Sequence, residues 1–306
     1  MTRSNLPLTR RNFLKLLAAL SASISFPIRM SSAQESQRLR AIPASGELIP
    51  IVGLGTWRTF NLNNRESSKA VLKRFTELNG KLIDTSPMYG DAERAIGILG
   101  GELDVLDDLF VATKVWTRGK QAGLDQLQKS RDYIGKTPLD LAQVHNLVDW
   151  RTQLATLREL KDAGLVRYIG ITHYVVSAHA ELERIIRNEQ IDFVQVNYNI
   201  AVRDADARLL PAAADRGVAV IINRPYAEGA LFRNVRDKAL PDWAQEFDCD
   251  TFGKFFLKFI LSHPAVTCAI PATSKVHHLE DNMGAAAGRL PDNAQRKKMV
   301  QWFNDL

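Results

Sequence analysis

Apolar runs of five to seven residues recur along the chain, and amphipathic stretches separate them. The runs cover residues 49–55, 81–85, 109–115, 139–145, 166–172, 192–198, 218–223 and 265–270. Val, Ile, Leu and Phe dominate several of them, as in strands covered on both faces. Between the runs the period changes. Leu154, Leu157 and Leu160 recur at spacing three with charges on the other side, which predicts a helix. Gly164 stands where a left-handed C-terminal cap would end that helix. Residues 66–75 read in the same way. Eight strands alternating with helices predict a (β/α)8 barrel over residues 34–306. Residues 41–50 predict a β-hairpin that turns at Ser45-Gly46 and closes the barrel's bottom. The competing open, doubly wound sheet would place a Gly-x-Gly-x-x-Gly turn near the start. Gly53-Leu54-Gly55-Thr56-Trp57 supplies two of the three glycines.

Polar residues interrupt this pattern at the strand ends. Lys114 and His145 close their runs, and Asp84 and Tyr89 lie in Leu82-Ile83-Asp84-Thr85-Ser86-Pro87-Met88-Tyr89-Gly90. In a parallel barrel the C-terminal strand ends share one mouth, and catalytic groups collect there. Tyr is a weak acid, with an ordinary pKa of about 10. A neighbouring ammonium favours the phenolate and is expected to lower that value. An Asp beside the Lys would hold it charged and in place. A His next to the Tyr would orient a carbonyl oxygen or relay a proton. Such a Tyr can protonate an oxygen while a hydride reaches the carbon. No side chain donates hydride, so this chemistry implies a nicotinamide cofactor. Each residue alone also has a plainer reading: Asp84 as a helix cap, Lys114 as a rim charge, His145 and Tyr89 as packing groups. Four of them at one mouth favour the catalytic reading.

Composition narrows the alternatives. Two cysteines, Cys249 and Cys268, allow at most one bridge, and Cys268 lies in an apolar run that predicts a buried, inert thiol. The net charge of +6 comes largely from the first 33 residues. These hold Arg3, Arg10, Arg11, Lys15 and Arg29 and no acid, which leaves 35 basic against 34 acidic residues in the remainder. No basic block interleaved with aromatics follows, so no nucleic-acid partner is expected. No metal site is expected either. In the leader, Arg10-Arg11-Asn12-Phe13-Leu14-Lys15 precedes a short, mildly apolar stretch, and Ser31-Ser32-Ala33 offers a cleavage point. Residues 1–33 read as a twin-arginine signal peptide, too short and polar for stable membrane insertion. The expected partner is the twin-arginine export machinery. The expected location is periplasmic or otherwise exported, or cytoplasmic if the leader is not used.

Gly53-Leu54-Gly55-Thr56-Trp57, the segment from Asp84 to Gly90, Ala112-Thr113-Lys114-Val115-Trp116 and Gln143-Val144-His145-Asn146 resemble the aldo-keto reductase family in order and spacing. The resemblance runs from about residue 41 to about 290. It implies a (β/α)8 barrel that reduces a small aldehyde or ketone with NAD(P)H. By position, Tyr89 is then the general acid, Lys114 and Asp84 tune it, and His145 orients the carbonyl. The resemblance further implies cofactor contacts from Gly55 and Thr56, from Gln195, and from Thr172 and His173, which stand where the family usually has Ser-Asn. Asn223 occupies the place of a Tyr under the nicotinamide ring, and Arg224 beside it would stack or meet phosphate. Thr273, Ser274, Lys275, His278 and Asn282 match the adenosine-phosphate segment. There His278 replaces a usual Arg and Ala272 a usual Lys. NADP(H) is favoured over NAD(H). Trp57, Trp116 and Asn146 would line the substrate pocket. The alternative is an exported cofactor-binding redox sensor or partner subunit with little turnover.

Overall fold

Strand after strand joins the next in chain order in the computed structural model, which describes residues 38–306. Among the described residues eight parallel strands form one sheet: β3 (Leu54–Gly55), β4 (Leu82–Asp84), β5 (Phe110–Val115), β6 (Leu139–His145), β7 (Val166–Thr172), β8 (Phe193–Asn197), β9 (Ala219–Asn223) and β10 (Cys268–Ala269). Between successive strands run helices such as α1 (Arg65–Glu77), α2 (Ala92–Glu102), α3 (Lys120–Ile134) and α4 (Trp150–Asp162). The sheet closes on itself. Gly53 N–H donates to Ala269 O at 2.9 Å, and Gly55 N–H donates to Pro271 O at 3.0 Å. Val52 and Ala269, and Gly55 and Ala272, bridge in parallel across this seam. The fold is a (β/α)8 barrel.

The seam needs its two glycines. A Cβ on Gly53 would lie 2.6 Å from Leu82 O, and one on Gly55 would lie 2.8 Å from Ile270 O. Both obstacles are backbone, which cannot rotate away. Gly53→Ala is therefore expected to destabilise the protein by about 1–3 kcal/mol. A lower denaturant midpoint with an unchanged slope would show this.

The apolar run 49–55 divides into two elements. β1 (Leu39–Ala41) and β2 (Leu48–Pro50) form an antiparallel hairpin, and β3 belongs to the barrel. Ile51 is the switch: its N–H donates to Arg38 O in the hairpin, and its carbonyl accepts from Ala269 N–H in the barrel. The turn includes Gly46 at φ 78°. Ile42 and Ile49 of the hairpin pack with Phe110, Tyr168 and Phe193 inside the barrel's N-terminal end. The Tyr168 hydroxyl lies 2.7 Å from Ser45 Oγ and from Glu47 Oε2. The hairpin is thus the plug of the barrel bottom.

Two apolar layers result from the period-two alternation of strand side chains. Val111, Val144, Leu154, Leu157 and Ile185 fill the space between barrel and helices. Leu82, Phe110, Leu141, Tyr168, Phe193, Ile221 and Cys268 fill the interior. α4 ends as its sequence predicts, with Gly164 at φ 70° and Leu165 N–H returning to Leu160 O at 2.9 Å. Both cysteines are free and buried. Burial raises both thiols above their ordinary range, Cys249 to about 12.

Moving up each strand, the inward positions change from apolar to polar. Phe110 and Ala112 lead to Lys114, Leu141 to Gln143 and His145, Phe193 to Gln195, and Ile221 to Asn223. The N-terminal half of the interior is a hydrophobic core, and the C-terminal half presents chemistry. The leader of residues 1–33 lies outside the described residues. Among the described residues no helix is long and apolar enough to cross a membrane.

Candidate active site

Asp84, Lys114 and His145 are the last inward residues of β4, β5 and β6, so neighbouring strands carry them side by side. Lys114 is fully buried. Its Nζ donates to Asp84 Oδ2 at 2.7 Å and to Thr85 O at 2.7 Å. The remaining neighbour is Tyr89, whose ring centroid lies 5.0 Å from Nζ. The Tyr89 ring meets His145 edge-on, with centroids 5.9 Å apart. The structure thus brings all four residues together. Asp84, Tyr89 and His145 line one cavity of about 950 Å³ at the C-terminal mouth, with Lys114 directly behind them.

The electrostatics follow from burial and from this packing. Burial pushes the Tyr89 phenol above its ordinary pKa; Lys114 pulls the other way and is outweighed. The expected net lowering is therefore corrected: a phenol with this little water around it keeps its proton. Burial alone would lower Lys114, but Asp84 and Tyr89 together raise it, so it stays charged. Burial, then Lys114, then His173 depress His145 to about 3, so this imidazole is neutral.

His145 consequently links stability to pH. The unfolded His takes up a proton near pH 6.5, while the folded one resists until about 3. The unfolded state therefore binds more protons in this window, and stability contributed by His145 is lost as pH falls below 6.5. His145→Gln is expected to flatten the loss of stability between pH 7 and pH 5. Urea midpoints of both proteins at the two pH values measure it.

A polar chain extends from the four residues across the barrel mouth. Gln195 Nε2 donates to Asp84 Oδ1 at 2.6 Å. Gln195 Oε1 accepts from Thr172 Oγ1 at 3.1 Å and Asn223 Nδ2 at 3.5 Å. Thr56 Oγ1 donates to Asp84 O at 2.9 Å. Gly55, Thr56, Thr172, Gln195, Arg224, Thr273, His278 and Asn282 all line the cavity. Arg224 stacks over the Tyr174 ring at 4.4 Å and pairs with Glu228 at 2.5 Å. His173, Ser274 and Lys275 are not part of the cavity wall. The His173 ring instead accepts the Tyr174 and Val175 N–H groups through Nδ1, at 2.9 and 3.3 Å. Ser274 and Lys275 are exposed just ahead of α9 (Val276–Gly284). (α5 to α8 are His179–Asn188, Leu209–Asp215, Ala230–Asn234 and Phe252–Leu261.)

Trp57 and Asn146 line the cavity; Trp116 stands at its edge, 6.5 Å from the His145 ring centroid. Exposed Met88, Tyr174 and Phe232 add to an apolar rim. Sequence reasoning passed over Ser86, whose Oγ lies 3.1 Å from His145 Nδ1. It also missed Tyr226, which is half-buried in the cavity wall and donates to Asn282 Oδ1 at 2.6 Å. The strand-end rule could have found Asn223. Nothing local marks Tyr226, which reaches the site through the loop after β9.

Residues 51–297 match the model of the aldo/keto reductase family. The chain belongs to the aldo/keto reductase family. As an aldo/keto reductase it is an oxidoreductase. It is 26% identical to methylglyoxal reductase YeaE of Escherichia coli, over 79% of this chain and 88% of that protein. It is 29% identical to pyridoxine 4-dehydrogenase of E. coli, over 72% of this chain and 82% of that protein. In fold it resembles a Klebsiella pneumoniae aldo/keto reductase solved with NADP and acetate. That likeness has a TM-score of 0.73 at 21% identity and covers 88% of this chain and 95% of the other.

Proposed function

We propose that this aldo/keto reductase transfers hydride from NAD(P)H to the carbonyl of a small aldehyde or ketone, with Tyr89 as general acid. The observation that carries the reading is the buried Asp84–Lys114 pair set behind Tyr89, with a neutral His145 at its edge. Tyr89 keeps its proton until a carbonyl oxygen gathers negative charge. Lys114 then offsets the charge left on the phenolate, and Asp84 holds Lys114 in place. His145 donates a hydrogen bond that orients the oxygen.

The residues present fit a nicotinamide cofactor. Asn223 Oδ1 is buried without a hydrogen-bond partner beside Thr172 and Gln195, an acceptor suited to a carboxamide N–H. The cavity exceeds what a small carbonyl needs and runs on to Thr273, His278 and Asn282. Bound there, the reduced nicotinamide would supply the hydride. Thr172, Gln195 and Asn223 would hold its amide, and Gly55, Thr56 and Arg224 would meet the middle of the molecule. Ser274, Lys275 and His278 at the far end offer donors and positive charge to a ribose phosphate, which favours NADP(H) over NAD(H). Fluorescence titration with each cofactor tests this, with tighter NADPH binding expected. An aldehyde panel then tests turnover; tight binding without NADPH oxidation would overturn the reductase reading.

Export by the twin-arginine route is proposed on Arg10-Arg11-Asn12-Phe13-Leu14-Lys15. Cell fractionation with sequencing of the mature N-terminus is expected to yield a chain that begins near residue 34. Intact cytoplasmic protein would refute it.

A further inference from the structure

A neutral imidazole donates from one nitrogen and accepts at the other, and its neighbours decide which. His145 can orient a carbonyl oxygen only if its cavity-facing nitrogen carries the proton. We infer that Ser86 is a positioning residue that fixes His145 in the tautomer protonated on Nε2. The inference rests on the reading of His145 given above.

Ser86 is fully buried, and its Oγ lies 3.1 Å from His145 Nδ1. Among the described residues one other group reaches this oxygen: Met88 N–H donates to it at 3.3 Å. An N–H cannot accept, so of these two neighbours only Nδ1 can take the hydroxyl proton. That arrangement puts the imidazole proton on Nε2. In the opposite tautomer Nδ1–H would donate to Ser86 Oγ, and the serine proton would be stranded in a dry site. A buried donor without a partner loses its full hydration, which disfavours that state.

His145 lines the cavity and Ser86 does not, so the Nδ1 edge turns away from the cavity and Nε2 is left to face it. With the opposite tautomer, an Nε2 lone pair would face the lone pairs of a carbonyl oxygen. It would also compete with that oxygen for the Tyr89 proton. The ring's neutrality, set by burial and by Lys114, makes the choice of tautomer matter. Ser86 is held in turn by the loop it belongs to: its carbonyl accepts from Tyr89 N–H at 2.9 Å. One short segment from Asp84 to Tyr89 therefore carries the carboxylate, the tautomer lock and the phenol.

Long-range proton–nitrogen NMR on histidine-labelled protein at neutral pH, with no substrate or cofactor added, tests the inference. Wild type is expected to show His145 protonated on Nε2. Ser86→Ala is expected to change the tautomer ratio by about tenfold, from one species toward a mixture. Ser86→Thr, which keeps the hydroxyl, is expected to restore the wild-type spectrum. A wild-type proton on Nδ1, or an unchanged tautomer in Ser86→Ala, would overturn the inference. If Ser86→Ala fails to fold, Ser86→Cys, which keeps the volume but is a much weaker donor, takes its place with the same shift expected, and a wild-type proton on Nδ1 still overturns the inference. Steady-state kinetics separates the two levels of reading. Ser86→Ala should lower kcat/KM for an aldehyde about tenfold with NADPH affinity unchanged. If the spectra behave as stated and kcat/KM stays at the wild-type value, the carbonyl-orienting role of His145 falls and the tautomer lock stands.

Discussion

Tyr89→Phe is expected to lower kcat by about 10²–10⁴-fold while NADPH affinity stays within a few-fold of wild type. The substitution removes one oxygen and leaves the ring, so the edge-on contact with His145 and the position over Lys114 persist. What disappears is the proton donor of the proposed mechanism. Burial holds that proton on Tyr89 in the resting protein, and no other cavity residue combines a hydroxyl with direct contact to Lys114. Neutral His145 has a proton to share in a hydrogen bond, but it gives it up far less readily than an imidazolium would. Stopped-flow single-turnover measurements isolate the loss in the chemical step. Wild-type turnover by Tyr89→Phe would remove the phenol from the mechanism.

Lys114→Met carries the second large effect, and it concerns stability as much as rate. The variant strands the Asp84 carboxylate in a site with almost no water, where its remaining charge partner is gone. Breaking one side of a buried pair typically costs about 3–5 kcal/mol. The double variant Asp84→Asn, Lys114→Met removes both charges and is expected to unfold at a higher denaturant concentration than Lys114→Met alone. Activity should remain lost in both. If the single and double variants prove equally unstable, the pair does not hold the site together.

Much of the fold was legible because its signal is repetitive. Seven of the predicted apolar runs correspond to one barrel strand each, and Leu154, Leu157 and Leu160 form the buried face of α4. Residues 49–55 misled because two strands of different sheets abut there without a polar break; only the hydrogen bonds of Ile51 separate them. The strand-end rule found Asp84, Lys114 and His145, since topology alone gathers such positions at one mouth. Tyr89 came from its chemistry and from the family pattern. The direction of its pKa was misjudged because a sequence names a charged neighbour but not the amount of water excluded. Tyr226 and Phe232 escaped notice because loop geometry, not strand position, brings them to the cavity. His173 was expected to face a ligand, and its ring satisfies its own loop instead.

The two cysteines have a consequence for handling and expression. Cys268 faces into the barrel and Cys249 lies in the layer outside it, each buried and each held as a thiol by its surroundings. No bridge braces the fold, and neither sulfur is presented to an oxidant or to a modifying reagent. The described domain should therefore fold to the same state in a reducing or an oxidising medium. Alkylating reagents should label it only after unfolding, which turns the rate of thiol modification into a direct clock for global opening.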